Sequence, residues 1–412
     1  MADIVEADGE EETACRLAGE GAVSTETAAP LNASELPLRA AALVPLLGER
    51  AAAAEAQGSL TEDVVEAFHR DGLFAMWTPR SLGGAELDPI RSLEVLEQVA
   101  YGDPSACWVL MAAAIATGVA GAYLSDDAVG DLFAGERVPV IAGQGLRSGT
   151  AVPVDGGFRL SGEWAFASAI RHASHIHTGG QVEGTGEQRI FVLPVDQGTL
   201  IDNWDVLGLR ATGSLDYVIE DVFVPAGYTH PIAQASSPRG GSLYRLAIPG
   251  IAMICHSGWA CGVGRRLLDE LAGLARAKAG RAGAQSESDS FLEGYGVAEA
   301  KLGAARALIF ETWRGIHDTL ETGVPPSVRQ QTLMRLALTN ATRSLQEIAS
   351  FVYLAGGTTS LRAGKIQQLF RDVHAGTQHV TSSPVVIRAC GRELAGLAPG
   401  EVWGVRGLAP AS

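Results

Sequence analysis

Histidine is the side chain whose charge changes nearest neutral pH, so the nine histidines are the first candidates for proton chemistry. Two of them, His374 and His379, fall in one short segment, Arg371-Asp372-Val373-His374-Ala375-Gly376-Thr377-Gln378-His379. On a continuous helix, residues five apart are rotated by about 500°, so these two would diverge unless the helix breaks at Gly376. His172, His175 and His177 form a second group. In an extended segment His175 and His177 share a face while His172 points away, so no metal site is expected there. The five cysteines, Cys15, Cys107, Cys255, Cys261 and Cys390, contain no C-x-x-C pair and sit mostly in apolar stretches, where a free thiol acts as a small hydrophobe.

Several familiar chemistries lack their motifs. Gly143-Gln144-Gly145 and Gly262-Val263-Gly264 are fragments of a dinucleotide fingerprint without its third glycine or its βαβ setting. No Walker A sequence, HExxH helix or G-x-S-x-G elbow is present. The chain is not expected to bind NAD(P)H in the usual way.

The elements that must position these groups come in three blocks. From Pro37 to about Phe133 the apolar spacing is helical, with Thr61 as an N-cap and Pro104 opening an apolar helix. From Val138 to residue 232 short β-rich runs alternate with turns such as Asp155-Gly156-Gly157. In that block Phe158, Leu160, Trp164 and Phe166 recur at even spacing, which predicts one half-buried strand with Trp164 and Phe166 on a common face. From about Ser242 four long helices return, the last running through LFRDVHAGTQHVTSS, and they predict an antiparallel bundle. The expected division is an acidic disordered tail at 1–36, a helical domain at 37–137, a β-domain at 138–232 and a four-helix bundle at 233–412.

Composition narrows the partners. Lys and Arg total 31 against 47 Asp and Glu, and the resulting charge of −16 would repel nucleic acid and anionic membrane surfaces. No signal peptide and no uninterrupted apolar run of about 20 residues is expected, which makes a cytoplasmic protein with a small-molecule substrate the natural reading.

Four segments resemble the acyl-CoA dehydrogenase superfamily: SGEWAFAS, LGLRATGSLDYVIEDVFVP, LAGG and LFRD. The resemblance runs from about Pro37 onward and implies an α+β fold with an N-terminal helical domain, a central β-barrel-like domain and a C-terminal four-helix bundle. It also implies a flavin held between the last two domains and a homotetramer. Two departures matter. A dehydrogenase removes an α-proton with a glutamate, yet neither VHAGTQHVTSSPVVI after Asp372 nor GSLYRLAIPGIAMICHSGWACG contains a carboxylate. Tyr353 stands where a dehydrogenase commonly carries a glutamine.

RDVHAGTQH, together with Trp204 and GLRATGS, is similar instead to the group D two-component flavin-dependent monooxygenases of the superfamily. That branch implies an oxygenase component that takes reduced flavin, FADH2 or FMNH2, from a separate NAD(P)H:flavin reductase. With O2 as co-substrate it would form a C4a-hydroperoxyflavin that hydroxylates a small aromatic or polyketide-like compound, in secondary metabolism. By the same resemblance Ser168 hydrogen-bonds near flavin N5, and His374 is the general base or donor that activates a phenol. Phe166 packs on the isoalloxazine, with Trp164, Gln144, Gly356 and Gly357 as further cofactor contacts and Arg281 against its phosphate. Arg171, Arg210 and His379 would face substrate, and Ser214 would shape the site or cap its strand. Three alternatives remain open at this point: an N-oxygenase of an amine or amino sugar, an acyl-CoA dehydrogenase-like oxidoreductase with its base elsewhere, and a catalytically silent binding protein.

Overall fold

The computed structural model describes residues 31–145, 148–232, 234, 236–280, 288–404 and 407–410. Most of the expected acidic tail, with Cys15, and also Arg281 lie outside the described residues. Leu36, assigned to that tail, is fully buried, so the packed chain starts slightly earlier than its composition indicates.

Five helices come first: α1 (Leu36–Gln57), α2 (Glu62–Arg70), α3 (Pro89–Gly102), α4 (Pro104–Tyr123) and α5 (Asp126–Leu132). An Asp-Pro pair starts both α3 and α4. The proline supplies a pre-set φ where its missing N–H is harmless, and the Asp88 and Asp103 carboxylates accept backbone N–H groups of the first turn. Contrary to the expectation of no membrane-length run, α4 and the span Ser242–Lys278 are long and apolar enough to cross a bilayer by length and composition. The reason is packing: 83% and 72% of their apolar windows are buried inside the fold, and a helix enclosed on all sides must be apolar on all sides.

The chain then forms β1 (Ile141–Ala142), β2 (Gly149–Val154), β3 (Gly157–Ala167), β4 (His175–Val182), β5 (Gln188–Pro194), β6 (Thr199–Ile201), β7 (Leu215–Pro225) and β8 (Thr229–Pro231). These make one mixed sheet in the order β6-β7-β3-β2-β4-β5-β8, with β1 also paired to β4. The pairings of β4 with β1 and β2 are parallel and the others antiparallel. A core of its own, including Trp164, Tyr217 and Phe191, fills this layer.

Helices follow as α6 (Ala247–Lys278), α7 (Asp289–Glu321), α8 (Val328–Gly356), α9 (Thr358–Leu361), α10 (Lys365–Gly376) and α11 (Pro384–Leu394), and a hairpin of β9 (Glu401–Trp403) and β10 (Leu408–Pro410) closes the described chain. The bundle therefore has three long helices and a fourth that is interrupted, where the sequence predicts an unbroken one. The Thr377 hydroxyl donates to the Val373 carbonyl, satisfying the last turn of α10. Pro384 then forces Ser383 into extended backbone and opens a new helix. One continuous apolar core joins the N-terminal helices to the bundle, from Leu36 and Trp77 through Trp259 and Trp313.

Candidate active site

The site begins where β3 stops behaving as a strand. Between Trp164 and Ala167 its register against β7 shifts, and Phe166 takes a left-handed φ of 67°. A bulge of this kind rotates the following side chains out of alternation. Trp164 turns inward, 1% exposed, stacked on Tyr217 and donating its indole N–H to the Gly179 carbonyl at 3.0 Å. Phe166 turns outward and is 65% exposed, edge-on to Trp204 at 6.2 Å. The even spacing of these two aromatics thus misleads: they do not share a face, and Trp164 is enclosed by sheet residues.

Ser168 sits at the end of this kink and is buried. Its hydroxyl receives the indole N–H of Trp108, on α4, at 3.2 Å and lies 2.7 Å from the Ser214 hydroxyl. Ser214 in turn lies 2.7 Å from the Thr212 hydroxyl, which donates to the Leu209 carbonyl at 2.8 Å.

Trp108 is the hub of a ring cluster. Its indole meets His256 at 5.0 Å, Trp259 at 5.5 Å and His379 at 6.0 Å, and the two imidazoles are 4.1 Å apart. Gly376 makes this possible, because a Cβ there would lie 2.6 Å from the Trp259 ring and 3.1 Å from that of Trp108. With α10 ended at Gly376, His379 lies on the extended residue that caps the next short turn, and it reaches the cluster that a continuous helix would have carried it past. Burial lowers the pKa of His379 to about 4, and burial together with His379 holds His256 well below the usual imidazole range. Both rings are therefore neutral near pH 7. The Thr381 backbone N–H donates to Nδ1 of His379 at 3.4 Å and the Thr381 hydroxyl lies 2.9 Å from the same nitrogen, an arrangement that places the ring proton on Nε2 when Nδ1 accepts and on Nδ1 when the hydroxyl accepts.

His374 goes elsewhere. Its ring packs on Phe370 at 4.4 Å, Phe370 stacks on Tyr353 of α8, and the buried Nε2 has no hydrogen-bond partner. The structure brings His379, not His374, to the ring cluster beside Ser168. Sequence reasoning missed Trp108, His256, Trp259 and Thr212. One signal was available, since His256 and Trp259 are three apart on an otherwise apolar helix and so share a face.

The remaining candidates scatter. The Gln144 backbone N–H donates to the Tyr217 hydroxyl at 3.3 Å, between β1 and β2. Arg171 is held by Asp202 at 2.6 Å and lies over Gly213, beside the Thr212–Ser214 turn. Arg210 is exposed on that turn. Gly356 and Gly357 end α8, the latter at a φ of 57°, and directly precede Thr358 and Thr359. Those threonines line a cavity of about 1130 Å³ together with Arg266, Arg276, Lys278, Arg362 and Lys365, an excess of basic over acidic side chains, Asp269 and Glu270, that suits an anion.

A clasp fixes the sheet's loop to the bundle. Leu209 donates its backbone N–H to Asp372 at 2.6 Å, and Gly208 lies so close to α10 that a Cβ would fall 2.2 Å from the Arg371 carbonyl oxygen. Asp372 is 1% exposed, and burial with the neighbouring Asp103 pushes its carboxyl up to about 7.

Sequence profiles described as the acyl-CoA dehydrogenase N-terminal and C-terminal domains match residues 45–126 and 254–384. The chain belongs to the acyl-CoA dehydrogenase family. Within that family it resembles the indole-3-acetate monooxygenase of Pseudomonas putida, 28% identical over 359 residues that cover 83% of this chain and 89% of that protein. It also resembles the flavin-dependent monooxygenase oxygenase subunit HsaA of Rhodococcus jostii, 27% identical over 83% of this chain and 93% of that one. Among solved structures XiaF of Streptomyces, in complex with FADH2 and glycerol, superposes with a TM-score of 0.81 over 89% of this chain and 96% of that chain, at 22% identity. An acyl-CoA dehydrogenase needs a carboxylate base, but among the described residues no carboxylate touches Ser168, His256 or His379. The Pseudomonas putida and Rhodococcus jostii relatives are both named as monooxygenases.

Proposed function

We propose that the chain is the oxygenase component of a flavin-dependent monooxygenase that hydroxylates a small aromatic substrate. The observation that carries this reading is the ring cluster centred on Trp108, which joins a buried serine to two neutral imidazoles with no carboxylate in contact among the described residues. The residues fit a flavin. Phe166 offers an exposed aromatic ring two residues before the buried Ser168 hydroxyl, and the basic side chains of the cavity near the end of α8 would accommodate a phosphate. FMN and FAD both satisfy these features. Bound in its reduced form, the flavin would supply two electrons to O2, so that one oxygen atom enters the ring and the other leaves as water.

The protein's own groups would then divide the work. Phe166 would hold the isoalloxazine by stacking, and Ser168 would offer its hydroxyl oxygen to the flavin's polar edge. The Nε2–H of His379 donates to a substrate oxygen, with Thr381 holding the tautomer. If Nδ1 instead takes the proton and gives it to the Thr381 hydroxyl at 2.9 Å, Nε2 accepts a phenolic proton as general base. Trp108, Trp259 and His256 pack with His379 in one buried ring cluster, a surround of low polarity that strengthens such hydrogen bonds. Arg171, tied to Asp202 beside Gly213, stands near enough to the turn to meet a polar substituent. Reduced flavin would come from a separate NAD(P)H:flavin reductase, and a homotetramer follows from the family resemblance.

The test supplies reduced FMN or FAD and ¹⁸O2 to the purified protein with a panel of phenols and indoles. One ¹⁸O atom in a product supports the reading. Reduction of bound flavin by an acyl-CoA, with no oxygen incorporated, sinks it.

A further inference from the structure

The hydroxyl chain that ends on Ser168 has a direction, and the direction can be counted. Three hydroxyl groups, on Thr212, Ser214 and Ser168, own one proton each. Three contacts need a proton: Thr212 to the Leu209 carbonyl at 2.8 Å, Ser214 to Thr212 at 2.7 Å, and Ser168 to Ser214 at 2.7 Å. The carbonyl can only accept, so Thr212 must donate to it. Ser214 must then donate to Thr212, and Ser168 to Ser214. All three side chains are at most 7% exposed, so bulk water does not scramble this order. From the other side Trp108 can only donate, and it gives its N–H to Ser168 at 3.2 Å. Ser168 is left with no free proton and with one lone pair uncommitted by these contacts.

We propose that Thr212 and Ser214 are positioning residues that hold Ser168 as a hydrogen-bond acceptor, and that this polarity selects reduced over oxidised flavin. The inference rests on the reading that Ser168 faces flavin N5. Reduced flavin carries a hydrogen on N5 and donates; oxidised flavin has only a lone pair there and must accept. To serve the oxidised form, either Ser168 alone turns and gives up its bond to Ser214, or all three hydroxyls rotate together and the gap between Thr212 and the Leu209 carbonyl is left without a proton. That carbonyl would keep the backbone N–H of Thr212, at 3.1 Å, and the indole N–H of Trp204, at 3.3 Å. The reversed chain is therefore accessible but one hydrogen bond poorer.

Breaking the chain removes the bias. In Thr212→Val the Ser214 proton is released to turn toward Ser168, and in Ser214→Ala the Ser168 proton loses its acceptor. Either change frees Ser168 to donate. The measurement is the ratio of dissociation constants for oxidised and reduced FMN, and likewise FAD, taken anaerobically with wild type, the two variants, Thr212→Ser and Ser168→Ala. Wild type should favour the reduced form, the ratio should fall about fivefold or more in Thr212→Val and Ser214→Ala, the worth of roughly one hydrogen bond, and Thr212→Ser should restore it. A ratio unchanged in both chain-breaking variants overturns the proposal, as does a fall in Thr212→Val that Thr212→Ser shares. If Ser168→Ala alters the ratio while the other two do not, the relay alone fails. If Ser168→Ala alters neither affinity, the placement of Ser168 against flavin fails with it.

Discussion

Replacing Asp372 with asparagine separates the two roles of that side chain, since the amide oxygen still accepts from Leu209 N–H while the titrating proton is gone. In the native fold the carboxyl is enclosed, with one oxygen bonded to Leu209 and the other without a partner, and the carboxylate of Asp103 nearby. Arg371, next in sequence, is engaged by Glu55 and compensates little. The folded pKa of about 7 lies above the ordinary 3.8, so between those values the folded protein keeps a proton that the unfolded chain has lost. Stability must therefore fall as pH rises from about 4 to about 7 and be flat above. A gap of about 3 pH units corresponds to about 4 kcal/mol. For a chain of 412 residues melting as one unit that is about 5 °C. Melting temperatures of wild type and Asp372→Asn, scanned at one rate from pH 4.5 to 9, should start close together and separate by about that amount, with the variant the more stable at high pH. Parallel curves across the whole range would refute the reasoning, because they would mean that Asp372 does not titrate there.

Three further outcomes follow from the site. His379→Ala should lower the rate of ¹⁸O incorporation about 100-fold or more, whereas His374→Ala should change it little, a contrast that a rate comparison at saturating substrate reads directly. Because the pKa of His379 is lowered to about 4, the neutral ring persists through the physiological range. The rate should then show no imidazole inflection between pH 6 and 8 and should decline only as pH falls toward 4, within the range where the fold survives. Phe166→Ala should weaken binding of reduced FMN about tenfold, measured anaerobically, while leaving the melting temperature nearly unchanged, since the lost ring is mostly exposed.

The order of helices, sheet and bundle was legible because it depends on local periodicity and on caps such as Asp88-Pro89 and Asp103-Pro104. The placement of Trp164 and Phe166 was not, because one extra residue in β3 resets a period of two, and the bulge is fixed by pairing with β7. The choice between His374 and His379 turned on where α10 stops. Its closing turn is tied to α8 by Gln346, whose side chain donates to Thr377, and Gly376 is required by two indoles from α4 and α6. Neither contact leaves a trace in the local pattern. Trp108 and His256 come from helices far apart in sequence and meet only through tertiary packing. The membrane-like composition of α4 has the same origin, a core position that local hydropathy cannot distinguish from a bilayer.

The break after Gly376 has a consequence for how such a protein diversifies. The imidazole at position 379 is carried by a short irregular connection between two well-anchored helices, not by the bundle itself. Insertions, deletions or turn substitutions between α10 and α11 would re-aim that ring within the cluster while the helices keep their register. On the proposed role of His379, editing a few residues of this loop would change which ring carbon of a substrate faces the oxygen donor, and regiochemistry would evolve separately from stability.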